Sequence, residues 1–329
     1  MIIGMTYDLK DDYRKAGYPE QLIAEFDNLQ TIEALEAVFE KEGHQVIRIG
    51  GIRSLVAFLA KGSRCDIVFN ICEGLHGMAR EAQVPALLEA YGIPCVFSDA
   101  MVLALCLHKG MTKAVVARSG VPTPDYYMIA EEKDIAAVDL PFPLFLKPVG
   151  GGTGMGISSK SIVHDRDSLE KEARYQLKTF DQPVIAETVL EGREFTTGIL
   201  GTGTSARCIA SMEIVVDHKS DDGIYSYKTK QDYKECTTYH LVEDAQVNEQ
   251  CEKVALGAWR ALGCRDGGRV DLKMDCKGRV QFLEVNPLAG LNPIDSDLPM
   301  LARFVGMDYD HLIREIFSSA LDRLGMKAR

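Results

Sequence analysis

A lysine followed at once by a glycine-dense loop is the first feature of the sequence that could do chemistry. Lys147 ends the apolar run "PLFLK", and "PVGGGTGMGI" follows it. Backbone N–H groups can approach a phosphate closely where side chains are absent, and a cation at the strand end can neutralise the phosphate charge. A flexible turn is the alternative reading of a lone glycine-rich loop. The lysine beside it favours a phosphate contact, in an order that is neither a P-loop nor a dinucleotide fingerprint.

A second group of polar side chains lies in "GGRVDLKMDCKGRVQFLEVNPLAGLNP". Two short strands are joined by the turn "DCKG", with Asp271 on the first strand and Glu284 and Asn286 on one face of the second. The hairpin can bring three oxygen ligands together, which is the arrangement that Mg²⁺ prefers beside phosphates. Arg269 has the same parity as Asp271 and should project beside it. A solvated polar face is the alternative, although Glu284 directly follows apolar residues.

A third polar cluster follows a buried strand, in "NICEGLHGMAREAQ". Its chemically capable side chains are Asn70, Glu73, His76, Arg80 and Glu81. They lie after the third predicted strand, at the carboxyl edge of the sheet, where α/β proteins bind ligands. We therefore expect at least one of them to contact a ligand.

The elements that position these residues change in character along the chain. Strands and helices alternate over the first hundred residues, including a short strand at 94–98, which predicts a parallel α/β sheet. From Lys109 onward, strand-like segments follow one another, among them 156–162, with a polar loop at 217–238. This pattern predicts antiparallel α+β structure. We expect three domains, which span residues 1–108, 109–195 and 196–329.

Composition limits the function classes. The chain has 329 residues and a net charge of -11, which argues against nucleic acid or an anionic membrane surface as the main partner. Its nine cysteines include no CxxC pair, and Cys72 is best read as packing, so a reducing cytoplasm is expected. Neither a secretory signal nor an apolar run of about 18 residues is evident, so no membrane span is predicted.

These motifs together resemble the ATP-grasp superfamily, and within it they look most like the D-alanine–D-alanine ligases. The segments "LFLKP…GGGTGMGI", "VIAETVLEGREF" and the hairpin occur in the family's order, over about residues 65 to 315. The resemblance implies an N-terminal Rossmann-like parallel sheet followed by a two-subdomain ATP-grasp fold, α/β overall with an α+β part. It also implies a cytoplasmic homodimer that acts on small amino-acid-like substrates in peptidoglycan precursor synthesis.

The resemblance implies a role for each matching residue. It assigns ATP to Lys109, Lys147, the lid residues Gly152, Thr153 and Gly154, the hinge residues Glu187, Thr188, Val189 and Leu190, the ribose-binding Glu194 and the loop lysine Lys230. It assigns two Mg²⁺ ions, with Mn²⁺ as the alternative metal, to Asp271, Glu284 and Asn286. It assigns stabilisation of a tetrahedral intermediate to Arg269 and the backbone of Gly290. Lys230 would also act in catalysis by reaching the transferred phosphate.

The chain departs from this family on the substrate side. The usual N-terminal Gly-Gly, serine and glutamate signature is absent, and Glu25 or Asp27 would hold an ammonium group in its place. First-turn acids that favour the helix dipole are the alternative for these two residues. His76 resembles the family's substrate-side histidine, and Glu81 is a further substrate candidate. Gln231 stands where the family has a lid tyrosine.

The segment "GLNPIDSDLP" contains the largest departure. Ser296 matches the serine that receives the second substrate's carboxylate, but Asp295 and Asp297 flank it. Two acids beside a carboxylate pocket would repel that substrate, unless they point to solvent. Plain D-alanine is therefore a doubtful acceptor.

Three hypotheses follow from these observations. The first is an ATP-dependent carboxylate–amine ligase of the D-alanine–D-alanine type. The second is a ligase of the same fold that joins other amino acids or a hydroxy acid. The third is an ATP-binding regulatory protein without turnover, against which the retained oxyanion arginine argues.

Replacing one of the two flanking acids tests the argument about the acceptor. Asp297→Ser should raise the rate of product formation with D-alanine as acceptor, because a repelling charge is removed from the carboxylate pocket. Steady-state rates with D-alanine measure this, and Asp295→Ser is the matched comparison. An unchanged substrate profile for Asp297→Ser would remove the argument.

Overall fold

The structure, a computed structural model, describes residues 1–152, 154–216 and 237–326. Among these residues the strands form three sheets of three, four and five strands. The three sheets follow one another along the chain, so each polar cluster found in the sequence belongs to a different sheet or its flanking loop. Thr153, Lys230 and Gln231 lie outside the described residues.

The first sheet is parallel, as the sequence predicts. Strand β1 (Ile2–Tyr7) lies between β2 (Gln45–Arg48) and β3 (Ile67–Ile71). Its flanking helices are α1 (Lys10–Lys15), α2 (Leu29–Lys41), α3 (Ile52–Ala60) and α4 (Gln83–Ala90). Asn28 begins α2 by accepting a hydrogen bond from Thr31 N at 3.1 Å, which satisfies one unpaired N–H of the first turn. The third polar cluster, between Asn70 and Glu81, begins at the carboxyl end of β3.

The strand predicted at 94–98 is wrong. Cys95 makes only an isolated bridge with Val68. The chain leaves the ladder at Phe97, whose φ of 73° is in the left-handed region and whose N–H donates to Asp266 instead. A side chain from the far end of the sequence thus ends the pairing, and local propensity does not contain that information.

The second sheet is antiparallel, in the order β4-β7-β5-β6. Its strands are β4 (Tyr126–Ile129), β5 (Leu144–Pro148), β6 (Ile162–Val163) and β7 (Val184–Thr188). Helix α7 (Arg166–Phe180) covers one face with Leu169 and Ala173, which are fully buried. Lys147 therefore sits at the end of a strand inside a packed sheet, as expected.

The strand predicted at 156–162 is wrong over most of its length. Gly156 has a φ of +75°, which turns the chain, and Ser158 caps a 3₁₀ turn at Ser159–Ser161. Only Ile162–Val163 pairs with β5. Glycine and serine at the start of the segment favour a turn over a ladder, which the alternation of apolar residues concealed.

The third sheet is antiparallel, in the order β10-β9-β8-β11-β12. Its strands are β8 (Glu194–Leu200), β9 (Arg207–Val216), β10 (Thr237–Leu241), β11 (Gly267–Met274) and β12 (Val280–Asn286). Helix α8 (Ala245–Leu262) packs on it and buries Trp259 completely. The predicted loop at 217–238 ends earlier than expected, because Thr237 already begins β10; residues 217–236 lie outside the described residues.

Four more helices connect and close the three sheets: α5 (Ala100–Leu107), α6 (Lys109–Arg118), α9 (Asp297–Phe304) and α10 (Tyr309–Leu324). Within the described residues no single helix is long and apolar enough to cross a membrane; α5 and α6 pass that test only as a pair, bent by 103°. Helix α6 carries Lys109 at its start. Helix α10 packs into the apolar core of the first sheet.

A buried carboxylate joins the first sheet, the third sheet and the last helix. Asp266 is fully buried; it accepts from Phe97 N at 2.8 Å, from Thr202 Oγ1 at 3.1 Å and from Ser319 Oγ at 3.2 Å. Arg323 Nη2 lies 2.7 Å from Asp266 Oδ2 and provides the compensating charge. A buried ion stays charged only with such a set of partners.

Removal of the Arg323 charge should therefore lower the stability markedly. We expect Arg323→Met to reduce the free energy of unfolding by about 3 kcal/mol, because Asp266 would keep a buried charge without its cation. Urea unfolding followed by the fluorescence of Trp259, the one tryptophan of the sequence, measures the change.

The matched control is Arg314→Met. Arg314 pairs with Glu42 at 3.3 Å, but both side chains are 40% or more exposed, and such pairs contribute less than about 1 kcal/mol. Equal losses for the two variants would contradict the role assigned to Asp266.

Candidate functional site

Two adjacent cavities share one wall. The first, which we call the lysine cavity, has a volume of about 280 Å³ and lies between the second and third sheets. The second, the carboxylate cavity, has a volume of about 320 Å³ and opens toward the first sheet. Residues from all three sheets or their loops meet there, and the shared wall consists of Lys109, Gly151, Gly152 and Glu284.

The glycine-rich loop is held in place by side chains from elsewhere in the chain. Gly150 N donates to Gln182 Oε1 at 2.7 Å, and its carbonyl accepts from Arg80 Nη1 at 2.8 Å. Lys109 Nζ donates to the Gly151 carbonyl. A Cβ at Gly152 would lie 1.7 Å from Glu25 Oε1, so the absence of a side chain lets this carboxylate pack against the backbone, and a larger residue would displace it.

Lys147, the predicted cation near the end of β5, is one of two buried lysines that contact the same carboxylate. Lys147 Nζ lies 3.3 Å from Glu187 Oε2, and Lys113 Nζ lies 3.4 Å from Glu187 Oε1. All three side chains are at least nine-tenths buried. One carboxylate therefore compensates two ammonium groups, and only Lys147 of the two lines the lysine cavity.

The pKa values of this group follow from burial and shared charge. Burial lowers the pKa of Lys113 to about 8, against the attraction of Glu187. Burial also acts to lower the pKa of Lys147, but attraction from Glu187 and Glu284 outweighs it and the pKa is raised. The two lysines together hold the pKa of Glu187 low, although burial opposes them. Lys147 thus stays cationic at the cavity wall.

The remaining residues assigned to the nucleotide also line the lysine cavity. Gly152, Gly154, Glu187, Thr188, Val189, Leu190 and Glu194 all contribute to its wall. The backbone of the connecting segment is fixed, since Thr188 N donates to Asp125 O at 2.9 Å. Glu194 Oε2 is 2.8 Å from Lys273 Nζ, which also lines the cavity.

Sequence reasoning missed two lysines of this site. Lys113 follows Lys109 by four residues, one helical turn, and Lys273 follows Asp271 by two, on the same strand face. Helical spacing from Lys109 could therefore have identified Lys113, and strand spacing from Asp271 could have identified Lys273. The contact between Glu187 and Lys113 could not be predicted from the sequence, because it depends on the pairing of β7 with β5.

The hairpin predicted from the sequence forms and brings its polar groups together. Asp271 is directly paired with Glu284, and Arg269 with Asn286, between β11 and β12. Asn286 Nδ2 donates to Asp271 Oδ2 at 3.1 Å, and Glu284 Oε2 lies 3.4 Å from Lys109 Nζ. Arg269 contacts both oxygens of Asp271, and its Nε lies 3.6 Å from Asp297 Oδ2. These acids raise the pKa of Arg269 in spite of its burial.

The oxygen-bearing groups of the hairpin fit a hard divalent cation. The carboxylates of Asp271 and Glu284 face each other across the strand pair, and Asn286 contacts Asp271. Over the described ranges, no three His, Cys, Asp or Glu side chains form a metal site by themselves. Asn286 is the third side chain of this group that carries an oxygen. Carboxylate and amide oxygens are the ligands that Mg²⁺ accepts beside substrate phosphates.

Five of the six residues assigned to the substrate line the carboxylate cavity: Glu25, Asp27, Glu81, Ser296 and Asp297. Arg269 and Gly290, assigned to the tetrahedral intermediate, line it as well. Ser296 Oγ accepts from Asn292 N at 3.0 Å, and a Cβ at Gly290 would lie 2.8 Å from that oxygen. Asp295 and Asp297 both line this cavity, but Asp295 is exposed, whereas the Asp297 side chain is only 15% exposed.

His76 is not brought to either cavity: it is exposed and forms no part of their walls. Its carbonyl accepts from Gln83 Nε2 at 2.9 Å, which orients the loop. Glu73, three residues earlier, lines the carboxylate cavity instead. The loop turns between Glu73 and His76. The spacing of these residues in the sequence could therefore not predict which of the two side chains points into the cavity.

Comparisons with known proteins agree with this geometry. A family model described as "D-ala D-ala ligase C-terminus" matches residues 115–318. The chain is 35% identical over 283 residues to a D-alanine–D-alanine ligase of Bordetella avium, which covers 85% of each protein.

Two solved structures share the fold. The D-alanine–D-alanine ligase of Bacillus anthracis complexed with ATP superposes with a TM-score of 0.73 at 23% identity and covers 98% of each chain. The VanG D-Ala:D-Ser ligase of Enterococcus faecalis gives a TM-score of 0.74 at 20% identity, over 97% of this chain and 99% of the other. The predicted ATP-grasp architecture is thereby confirmed.

The shared carboxylate predicts a specific pattern of stabilities. Glu187→Gln should lower the free energy of unfolding by about 3 kcal/mol, because two buried ammonium groups would lose their common counter-charge. Lys113→Met combined with Glu187→Gln should recover part of this loss, since one of the unpaired charges is also removed. Urea titration measures both variants, and the recovery is the coupling energy of a double-mutant cycle.

Glu131→Gln serves as the control. Glu131 pairs with Lys133 on the surface, where both side chains are more than 60% exposed, so a change below about 1 kcal/mol is expected. If Glu187→Gln behaved like this control, or if the double variant were no more stable than the single one, the shared-charge description would be wrong.

Proposed function

The chain belongs to the D-alanine–D-alanine ligase family, and from this premise we propose that it is an ATP-dependent carboxylate–amine ligase. The observation that carries the proposal is the wall common to the two cavities. Lys109 and Glu284 lie on that wall, with Lys147 on one side and Arg269 on the other. ATP bound in the lysine cavity would present its terminal phosphate there to an acid in the carboxylate cavity.

The nucleotide would be held by the residues of the lysine cavity. Lys109 and Lys147 would contact its phosphates, the segment from Glu187 to Leu190 its adenine, and Glu194 its ribose. The glycine-rich loop would cover the triphosphate and exclude water, which otherwise hydrolyses an activated acid. Thr153 and Lys230, assigned to the same task, lie outside the described residues.

Phosphoryl transfer comes first. A carboxylate oxygen of the first amino acid attacks the terminal phosphorus of ATP, the bond to the bridging oxygen breaks, and ADP leaves. The protein catalyses such transfers mainly by positioning and by neutralising charge, which Lys109 and Lys147 can do without a covalent nucleophile. Two Mg²⁺ ions held by Asp271, Glu284 and Asn286, or Mn²⁺ in their place, would supply further positive charge when bound.

The second step forms the C–N bond. The amine of the second amino acid attacks the acyl carbon, phosphate leaves, and the amine loses a proton. Negative charge develops on the former carbonyl oxygen, and Arg269 with the Gly290 N–H would stabilise it. The product is a dipeptide. We propose that the reaction serves peptidoglycan precursor synthesis in the cytoplasm and that the enzyme acts as a homodimer.

One observation favours a ligase that joins amino acids other than D-alanine. Asp297 lies 3.6 Å from Arg269, in the part of the cavity where the second substrate's carboxylate would bind. A negative charge at this place weakens the attraction of Arg269 for a carboxylate.

We also propose that the chain divides into three domains, residues 1–108, 109–195 and 196–329. The three sheets lie largely within these limits, which supports the division.

Replacement of one phosphate-side lysine tests the proposal. With Mg-ATP and a panel of D- and L-amino acids, the wild-type protein should release phosphate and form a dipeptide, seen by mass spectrometry. Lys147→Met should raise the KM for ATP by at least about tenfold, because a hydrogen bond to a charged group contributes about 1.5–3 kcal/mol and 1.4 kcal/mol is tenfold.

The matched control is Lys133→Met, which removes an exposed lysine and should leave the KM unchanged. Absence of saturable binding of adenine nucleotide in magnesium buffer would overturn the proposal. Nucleotide binding without turnover on any of the amino acids would favour a regulatory ATP-binding protein instead.

A further inference from the structure

We propose that one amino-acid substrate carries a second cationic group besides its α-ammonium, and that Glu73 and Glu81 bind this group in the carboxylate cavity. The inference rests on the proposed ligase function and deepens it, because it names the substrate class of one subsite. The class is that of diamino acids, such as 2,3-diaminopropionate, ornithine or lysine.

The subsite has more negative than positive charge. Four carboxylates line the end of the cavity that belongs to the first sheet: Glu25, Asp27, Glu73 and Glu81. Two cations face them: Arg80 Nη2, 2.7 Å from Glu25 Oε2, and Lys10, whose charge acts on Asp27. With all four carboxylates ionised, the negative charge exceeds that of these two cations by two, and one α-ammonium would compensate only one of them. Lys109, on the wall shared by the two cavities, also acts on Glu81 but is paired with Glu284 at 3.4 Å.

Two of the four carboxylates have no partner of their own. Neither the Glu73 nor the Glu81 side chain makes a hydrogen bond, or an ion pair within 4.0 Å, to another residue of the described part of the chain. Glu81 is nonetheless 92% buried, with an exposed fraction of 8%, and it lines the cavity. A buried carboxylate without a partner is costly in a folded protein, so its presence on a cavity wall indicates a ligand that compensates it.

The surroundings of the pair describe the ligand more closely. Burial raises the pKa of Glu81 to about 7 and the pKa of Glu73 well above its ordinary value, and each carboxylate also feels the charge of Glu25. Arg80 and, for Glu81, Lys109 oppose this effect without cancelling it. An ammonium group placed between the two carboxylates would replace the proton that such a pair otherwise retains.

Arg80 explains why an α-ammonium alone does not satisfy the subsite. Its guanidinium already donates a hydrogen bond to the Glu25 carboxylate and another to the Gly150 carbonyl. Glu25 is therefore largely neutralised by the protein itself, and the next positive charge has to come to Asp27, Glu73 or Glu81. A diamino acid supplies both positive charges within a single molecule.

The experiment compares cationic substrates with uncharged substrates of similar length. Wild-type protein with Mg-ATP is given D- and L-forms of 2,3-diaminopropionate, ornithine and lysine, and of 2-aminobutyrate, norvaline and norleucine. Each is offered alone and with D-alanine, and ADP formation and product mass are measured. We expect kcat/KM to be at least about tenfold higher for the diamino acid of a matched pair.

Variants test where the second cation binds. Glu81→Gln and Glu73→Gln should each reduce the preference for the diamino acid by about tenfold, whereas Glu40→Gln, an exposed position on α2, should leave it unchanged. If the kcat/KM preference for the diamino acid is unchanged in both Glu81→Gln and Glu73→Gln, the assignment of the subsite is overturned, however large that preference is.

The outcomes separate this inference from the function on which it rests. If uncharged amino acids are used as well as the diamino acids, the ligase proposal stands and the inference is wrong. If D-alanine alone supports ADP formation and no amino acid of either set adds to it, the ligase proposal stands and the inference is wrong. If neither D-alanine nor any amino acid of the two sets supports ADP formation, the ligase proposal itself fails. The comparison of substrates uses only the wild-type protein, so it is decisive even where a variant does not fold.

Discussion

The structure depends on one carboxylate that keeps two buried ammonium groups charged. Glu187 lies in the middle of its sheet, paired with Phe145 and Tyr126, and contacts both Lys113 and Lys147. Because Lys147 ends the strand from which the glycine-rich loop departs, this ion triad fixes where the loop begins. It also fixes the segment after Glu187, which connects the second and third sheets. The ion triad thus anchors the strand ends from which the loop and the connection depart, and the hydrogen bonds of Gln182, Arg80 and Lys109 then hold the loop itself.

The two cavities differ in their balance of charge. Each is lined by three cationic side chains, but five carboxylates line the lysine cavity and seven line the carboxylate cavity. Lys109 and Glu284, 3.4 Å apart, lie on the wall between them. The more acidic cavity suits an ammonium compound, whereas a polyanion in the lysine cavity depends on Lys109, Lys147 and Lys273 within an acidic lining, in a chain whose net charge is -11.

The sequence predicted local features well and long-range contacts poorly. Strand parity placed Asp271, Glu284 and Asn286 on one face, and the hairpin confirms it. The ATP-grasp fold followed from the order of motifs. By contrast, the positions of His76 and Phe97 depend on a loop turn and on Asp266, and neither is encoded within a few residues. The salt bridge between Arg80 and Glu25 joins residues 55 positions apart, which no periodicity could show.

The first sheet is completed by the last helix. Leu312, Ile316 and Phe317 of α10 lie in the same apolar core as Ile3 and Phe39, and the rings of Phe39 and Phe317 are 5.2 Å apart. The N-terminal unit therefore cannot close its core before Tyr309–Leu324 has been translated. A nascent chain must hold its first sheet partly exposed until this helix has left the ribosome. Apolar surface exposed in this way is prone to aggregation, and the exposure follows from the chain order, independent of what the site binds.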